Sequence, residues 1–132
     1  MKKILKNERG SEVIEFVILF PILVFLIFGA ITFFLATYSK IIIADAAREG
    51  ARAGALAASD SIESTARDKV REVIDGAAVN AFEITEIYVA VEDDEPYDVV
   101  NVKVTGTHSS LVPAIVKPLT ISSTGVFKRE KR

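Results

Sequence analysis

The chain has no cysteine, one histidine and four prolines in 132 residues. Without cysteine there is neither a disulfide framework nor a thiolate metal site, and the redox compartment is left open. The lone histidine, His108, stands beside Ser109 and Ser110. Adjacent side chains do not converge as a nucleophile and its base must, and no partner acid accompanies them, so no catalytic residue is expected. A positive surplus is missing too. With 16 Lys and Arg against 18 Asp and Glu, the net charge is -2, which argues against a nucleic-acid partner. No cofactor motif is present. The acidic stretch Glu92-Asp93-Asp94-Glu95-Pro96-Tyr97-Asp98 has oxygens for a Ca²⁺ ion but no EF-hand spacing. It reads better as a solvated hairpin tip that also blunts edge pairing.

Charge is absent altogether from Phe16 to Ser39. As a helix that run would extend about 36 Å, enough for a bilayer core of about 30 Å. Ahead of it lie Lys2, Lys3, Lys6 and Arg9 against the single acid Glu8, so the positive-inside rule keeps the N-terminus in the cytoplasm and sends the remainder out. The residues beyond Lys40 suffice for one compact domain and not two.

Three readings of this N-terminus compete. A cleaved secretory signal fits the basic start and triplets such as Ala44-Asp45-Ala46, but its apolar region runs to only about 15 residues. An uncleaved signal anchor explains the length and leaves Gly10 and Glu15 without a role. A prepilin-type leader, cut between Gly10 and Ser11 on the cytoplasmic side, uses every residue. Glycine lets the chain lie extended in a narrow protease groove, and a carboxylate at the lip of an apolar span is costly unless it has a function. Removal of residues 1–10 would change the net charge from -2 to -5.

Arg9-Gly10-Ser11-Glu12-Val13-Ile14-Glu15-Phe16 resembles a prepilin peptidase site. Together with Phe20-Pro21 and Asp45-Ala46-Ala47-Arg48-Glu49-Gly50-Ala51-Arg52-Ala53, it resembles the TadE/TadG pseudopilins of tight-adherence (Flp, type IVb) pilus systems over about residues 9–56. The final segment, Leu119 to Arg132, resembles their polar, strand-forming end. The resemblance implies a minor pilin or pseudopilin of the cytoplasmic membrane, with prepilin peptidase and other pilus subunits as partners. It implies that Glu15, followed by Phe16, pairs with the new amine of a neighbouring subunit's Ser11, and that Pro21 lets the helix bend. The other class kept open is a single-pass anchored protein whose outer domain binds a partner or senses the envelope.

Past the span, Ile41–Ala58 has no proline and is dominated by alanine, so the helix is expected to continue. Ala46, Gly50, Gly54 and Ala58 recur at four-residue spacing, a face small enough for close backbone approach to neighbouring helices or to the protein's own sheet. A second helix is expected after an Asp60–Glu63 capping pair, with Ile62, Ala66, Val70, Val73, Ile74, Ala77 and Ala81 on its buried face and Gly76 near its end. The period then changes to two. Ile84–Val91 and Val100–Thr105 predict a hairpin about the acidic turn, and Leu119–Lys128 a last strand. The expected fold is α+β: a leader at 1–10, a transmembrane and Ala-rich helix over 11–58, and an extracytoplasmic domain over 59–132 with a three-stranded antiparallel meander.

Overall fold

The computed structural model describes residues 8–77, 82–108 and 117–130, with side chains from residue 12 onward. Five elements follow in order: α1 (Glu8–Leu56), α2 (Ile62–Asp75), β1 (Phe82–Asp94), β2 (Tyr97–His108) and β3 (Leu119–Glu130). The chain divides into two units, the first ending at Phe33 and the second beginning at Phe34. Helix α1 contributes to both.

In the first unit α1 stands without protein cover. Phe16, Leu19, Leu23, Phe25 and Leu26 are all exposed, and a Cβ placed on Gly29 would meet nothing within 4 Å. Exposed apolar side chains around a whole helix are stable in hydrocarbon and not in water. Among the described residues α1 is the one helix long and apolar enough to cross a membrane. Pro21 lies inside it, and the helix carries on to either side. Thr32 returns its hydroxyl proton to the Phe28 carbonyl at 2.9 Å, which keeps that hydroxyl satisfied within the helix.

The second unit is a sheet with helices on one face. Its strands run antiparallel in the order β1-β2-β3, the expected meander. On β2 the alternation is clean: Val100, Val102 and Val104 are fully buried while Asn101, Lys103 and Thr105 point the other way. These valines pack with Ile43, Ala46, Ala47 and Ala51 of α1, Ala66 and Val70 of α2, Ile87 of β1 and Ile121 of β3. The buried face of α2 is Ile62, Ala66, Val70 and Ile74, at the predicted spacing, and Gly76 closes the helix. Ala81 lies outside the described residues.

Three local expectations are corrected. The start of α2 is capped at Ser61, not by an Asp60–Glu63 pair, and no side chain closes it. Ser61 instead donates back to Ala58 O at 3.2 Å, and Glu63 is held by Arg67 at 2.8 Å. The hairpin turn is tighter than seven residues: pairing continues to Asp94↔Tyr97, leaving only Glu95 and Pro96, whose peptide bond is cis, between the strands. On β1 the register slips between Ile84 and Glu86, leaving Thr85 as the extra residue of a bulge. Phe82 and Ile84 face the core before the bulge, Ile87 and Val89 after it. Without that slip, strict alternation would have turned Glu86 inward.

Candidate functional site

The residues singled out from the sequence fall into two groups, one in each unit. Gly10 and Ser11 lie on α1, which is described from Glu8 onward. Glu15 is exposed on the same helix, as is Phe16. The rings of Phe16 and Phe20 lie 5.7 Å apart, tilted by 34°, as residues one turn apart on a single face. Glu15 is thus the last carboxylate before the uncharged run, with no ion pair among the described residues, and a carboxylate at the edge of hydrocarbon is costly without a cation.

The small-residue stripe lies in the second unit, turned toward that unit's own core. Ala46 is fully buried. A Cβ on Gly50 would come within 2.5 Å of Val70 Cγ2 and 3.1 Å of Ala66 O. On Gly54 it would come within 3.1 Å of Ala66 Cβ and 3.3 Å of Val100 Cγ1. Both glycines therefore let α1 sit close against α2 and β2. Ala58 does not join them: α1 ends at Leu56, and Ala58 is exposed in the connection to α2. The neighbouring stripe, Ala47, Ala51 and Ala55, is buried as well.

Three further positions make contacts that the sequence did not disclose. Gly125, at the middle of β3, lies against the backbone of α1 at Ala47, and a Cβ there would overlap the Ala47 carbonyl. A glycine inside a strand is the signal that marks such close approach. Arg129 reaches from β3 to Ala57 O at 3.2 Å and Ser59 Oγ at 3.3 Å, with Asp98 at 3.8 Å. The last turn of α1 has no base of its own, so this guanidinium supplies the positive charge that a helix C-terminus favours. No composition rule points to it, because the pairing spans 72 residues.

The third is Ser39, the residue that closes the uncharged run. It is fully buried, and its Oγ donates to Leu35 O at 2.8 Å while lying 3.4 Å from His108 Nδ1. With the hydroxyl proton committed to Leu35, the contact is completed by His108 donating from Nδ1 to Oγ. Nε2 is buried with no hydrogen-bond partner among the described residues. A serine beside a histidine suggests a nucleophile and its base, but here both are closed off from solvent, and the arrangement ties α1 to the end of β2. Ser109 and Ser110 lie outside the described residues.

The acidic stretch spreads along two strands. Asp94 meets Lys128 at 3.0 Å on one face, and Asp98 meets Arg129 on the other. A shallow, open cleft sits where the bulge of β1 passes Arg67 and Arg71 of α2, lined also by Ile84 and Tyr88.

No curated protein and no solved structure matches the chain. Residues 10–52 match the family described as TadE-like protein. The matched stretch holds Gly10, Glu15-Phe16, the whole apolar run and the alanine- and glycine-rich turns that pack into the core. Over that stretch the chain is similar to TadE-like proteins, and the same stretch holds most of the one helix, among the described residues, that is long and apolar enough to cross a membrane.

Proposed function

We propose that this protein is a minor pilin or pseudopilin, processed by a prepilin peptidase and contributing to assembly of a tight-adherence pilus or related secretion filament. In this reading the leader is removed between Gly10 and Ser11, the N-terminus lies inside, and the second unit faces out of the cytoplasmic membrane. The observation that carries it is the match over residues 10–52, which opens on the glycine of the leader and includes the acid and aromatic that follow. The role is structural, with filament subunits as partners and no cofactor.

The physics of the first turns supports the same reading. The Gly10–Ser11 bond lies within α1, ahead of the uncharged run. Glycine weakens a helix by about 1 kcal/mol relative to alanine, which favours unwinding at the bond to be cut. The amine released on Ser11 would be the cation that Glu15 of a neighbouring subunit lacks.

Mass spectrometry of the native N-terminus tests this in cells carrying prepilin peptidase. A product beginning at Ser11 is expected, and Gly10→Val should leave a precursor heavier by residues 1–10. Mature molecules that retain Met1 would return the chain to the other reading, a sensing or binding domain on an uncleaved anchor.

A further inference from the structure

Among the described residues, the sheet has two edges of opposite charge that no further strand pairs. β1 carries Glu83, Glu86, Glu92, Asp93 and Asp94 and no base. β3 carries Lys128, Arg129 and Glu130, with Lys117 just before it and Lys131 and Arg132 following in the sequence. The strand order places these two strands at opposite margins. Both are antiparallel to β2, so they run in the same direction.

The register through β2 fixes which residues share a level. Tyr88 and Thr124 both pair with Lys103, and Glu92 and Lys128 both pair with Val99. Cross-strand partners share a face, so all four side chains lie on the face away from the helices. Among the described residues, no backbone-to-backbone hydrogen bond joins β3, or β1 between Phe82 and Glu92, to any element beyond the sheet. Each margin thus offers a row of donors and acceptors to another strand.

We propose that copies of this chain associate head to tail through these margins, β1 of one beside β3 of the next, parallel and with Glu92 level with the second copy's Lys128. The two edges match in length, 13 residues against 12. They also match in charge, and complementary charge selects partner and register. Lys128 already meets Asp94 in its own chain, but both side chains are about 60% and 59% exposed, so the ammonium stays open to a second carboxylate. Self-pairing of like edges is disfavoured by the same residues: antiparallel β1 strands centred on Val89 would set Glu86 against Glu92. Parallel pairing keeps every copy in one orientation, which lets all of them be anchored in one membrane. It also leaves one free margin of each kind, so the contact does not close on itself.

Because the chain has no cysteine, engineered disulfides give a clean test. Tyr88→Cys and Thr124→Cys are placed together in the full-length protein and oxidised in membranes of cells without pilus machinery. Neighbouring strands lie about 4.8 Å apart, within disulfide reach. The expected result is a ladder of dimers, trimers and higher species. Glu92→Lys or Lys128→Glu in that background should cut the ladder at least fivefold, and the two together should restore at least half of it, with circular dichroism confirming that each variant is folded. An absent ladder, a ladder indifferent to charge reversal, or dimers from either single-cysteine protein would overturn the proposal. The last would mean pairing of like edges. Because no leader processing or filament is needed, failure here leaves the pilus reading standing.

Discussion

Gly125 of β3 lies directly against the backbone of Ala47 on α1, at a spot where even one methyl group would overlap the helix carbonyl and come within 2.6 Å of the Arg48 amide nitrogen. The obstacle is main chain in the middle of a helix, which has no rotamer to change. Gly125→Ala is therefore expected to destabilise the second unit by about 1–3 kcal/mol, the usual range for forcing volume into a filled core. Chemical denaturation of the full-length protein in detergent micelles measures it. Gly76→Ala serves as the control, since the atom nearest its added Cβ is 3.3 Å away. Equal stability of the two variants would contradict the close approach.

Gly50 tests the same idea with a softer neighbour. Its added Cβ meets Cγ2 of the buried Val70 at 2.5 Å and Ala66 O at 3.1 Å, so a side chain must shift within the core, and the helix's gain of about 1 kcal/mol from alanine offsets part of that cost. Gly50→Ala should thus cost about 2 kcal/mol or less. Gly50→Leu should unfold the unit or nearly so, seen as loss of the cooperative transition.

Ser39 and His108 form a pair that tolerates loss of neither partner alone. Ser39→Ala leaves Nδ1 buried without its oxygen, at a cost of about 1–3 kcal/mol. Replacing both, with His108→Leu, should cost less than the two single changes added together, because no orphaned polar atom remains. A double-mutant cycle in micelles reads the coupling, and strict additivity would dissolve the pair.

Two adjacent bases on β3 should behave differently. Lys128 makes an exposed ion pair with Asp94, and Lys128→Ala is expected to alter the folding of a single chain by less than about 1 kcal/mol. The Arg129 side chain is only 13% exposed and holds Ala57 O, Ser59 Oγ and Asp98. Arg129→Ala should cost about 1–3 kcal/mol and loosen the turn after α1, detectable as faster amide exchange around Ala57.

Glu15→Ala is expected to leave membrane insertion intact while reducing incorporation into pili by an order of magnitude or more, scored on sheared filaments. Glu15→Asp should recover part of it, since the charge remains and only the reach changes. Normal piliation in the alanine variant would count against pairing with a neighbour's amine.

What the sequence disclosed was whatever depends on period and composition. The apolar run, the buried face of α2 at Ile62, Ala66, Val70 and Ile74, and the alternation of β2 were readable because each repeats over several turns or strand residues. What it hid was long-range or singular. The bulge at Thr85 shifts parity by one residue and leaves no trace in composition. Ser61 displaces the Asp60–Glu63 cap because Glu63 is taken by Arg67, a competition between two ordinary local contacts. The stripe of Ala46, Gly50 and Gly54 announced close packing and left neighbouring helices and the protein's own sheet both open, whereas the surfaces packed are α2 and β2. Ser39 and His108 are 69 positions apart, and no spacing rule joins them.

Helix α1 supplies Ile42, Ile43, Ala46, Ala47, Ala51 and Ala55 to the second unit's interior. The second unit therefore cannot be cut from α1 just after the apolar run and keep its shape, for its own centre is built from the continuation of that helix. A version lacking the apolar run would have to begin upstream of Tyr38 to keep that centre whole.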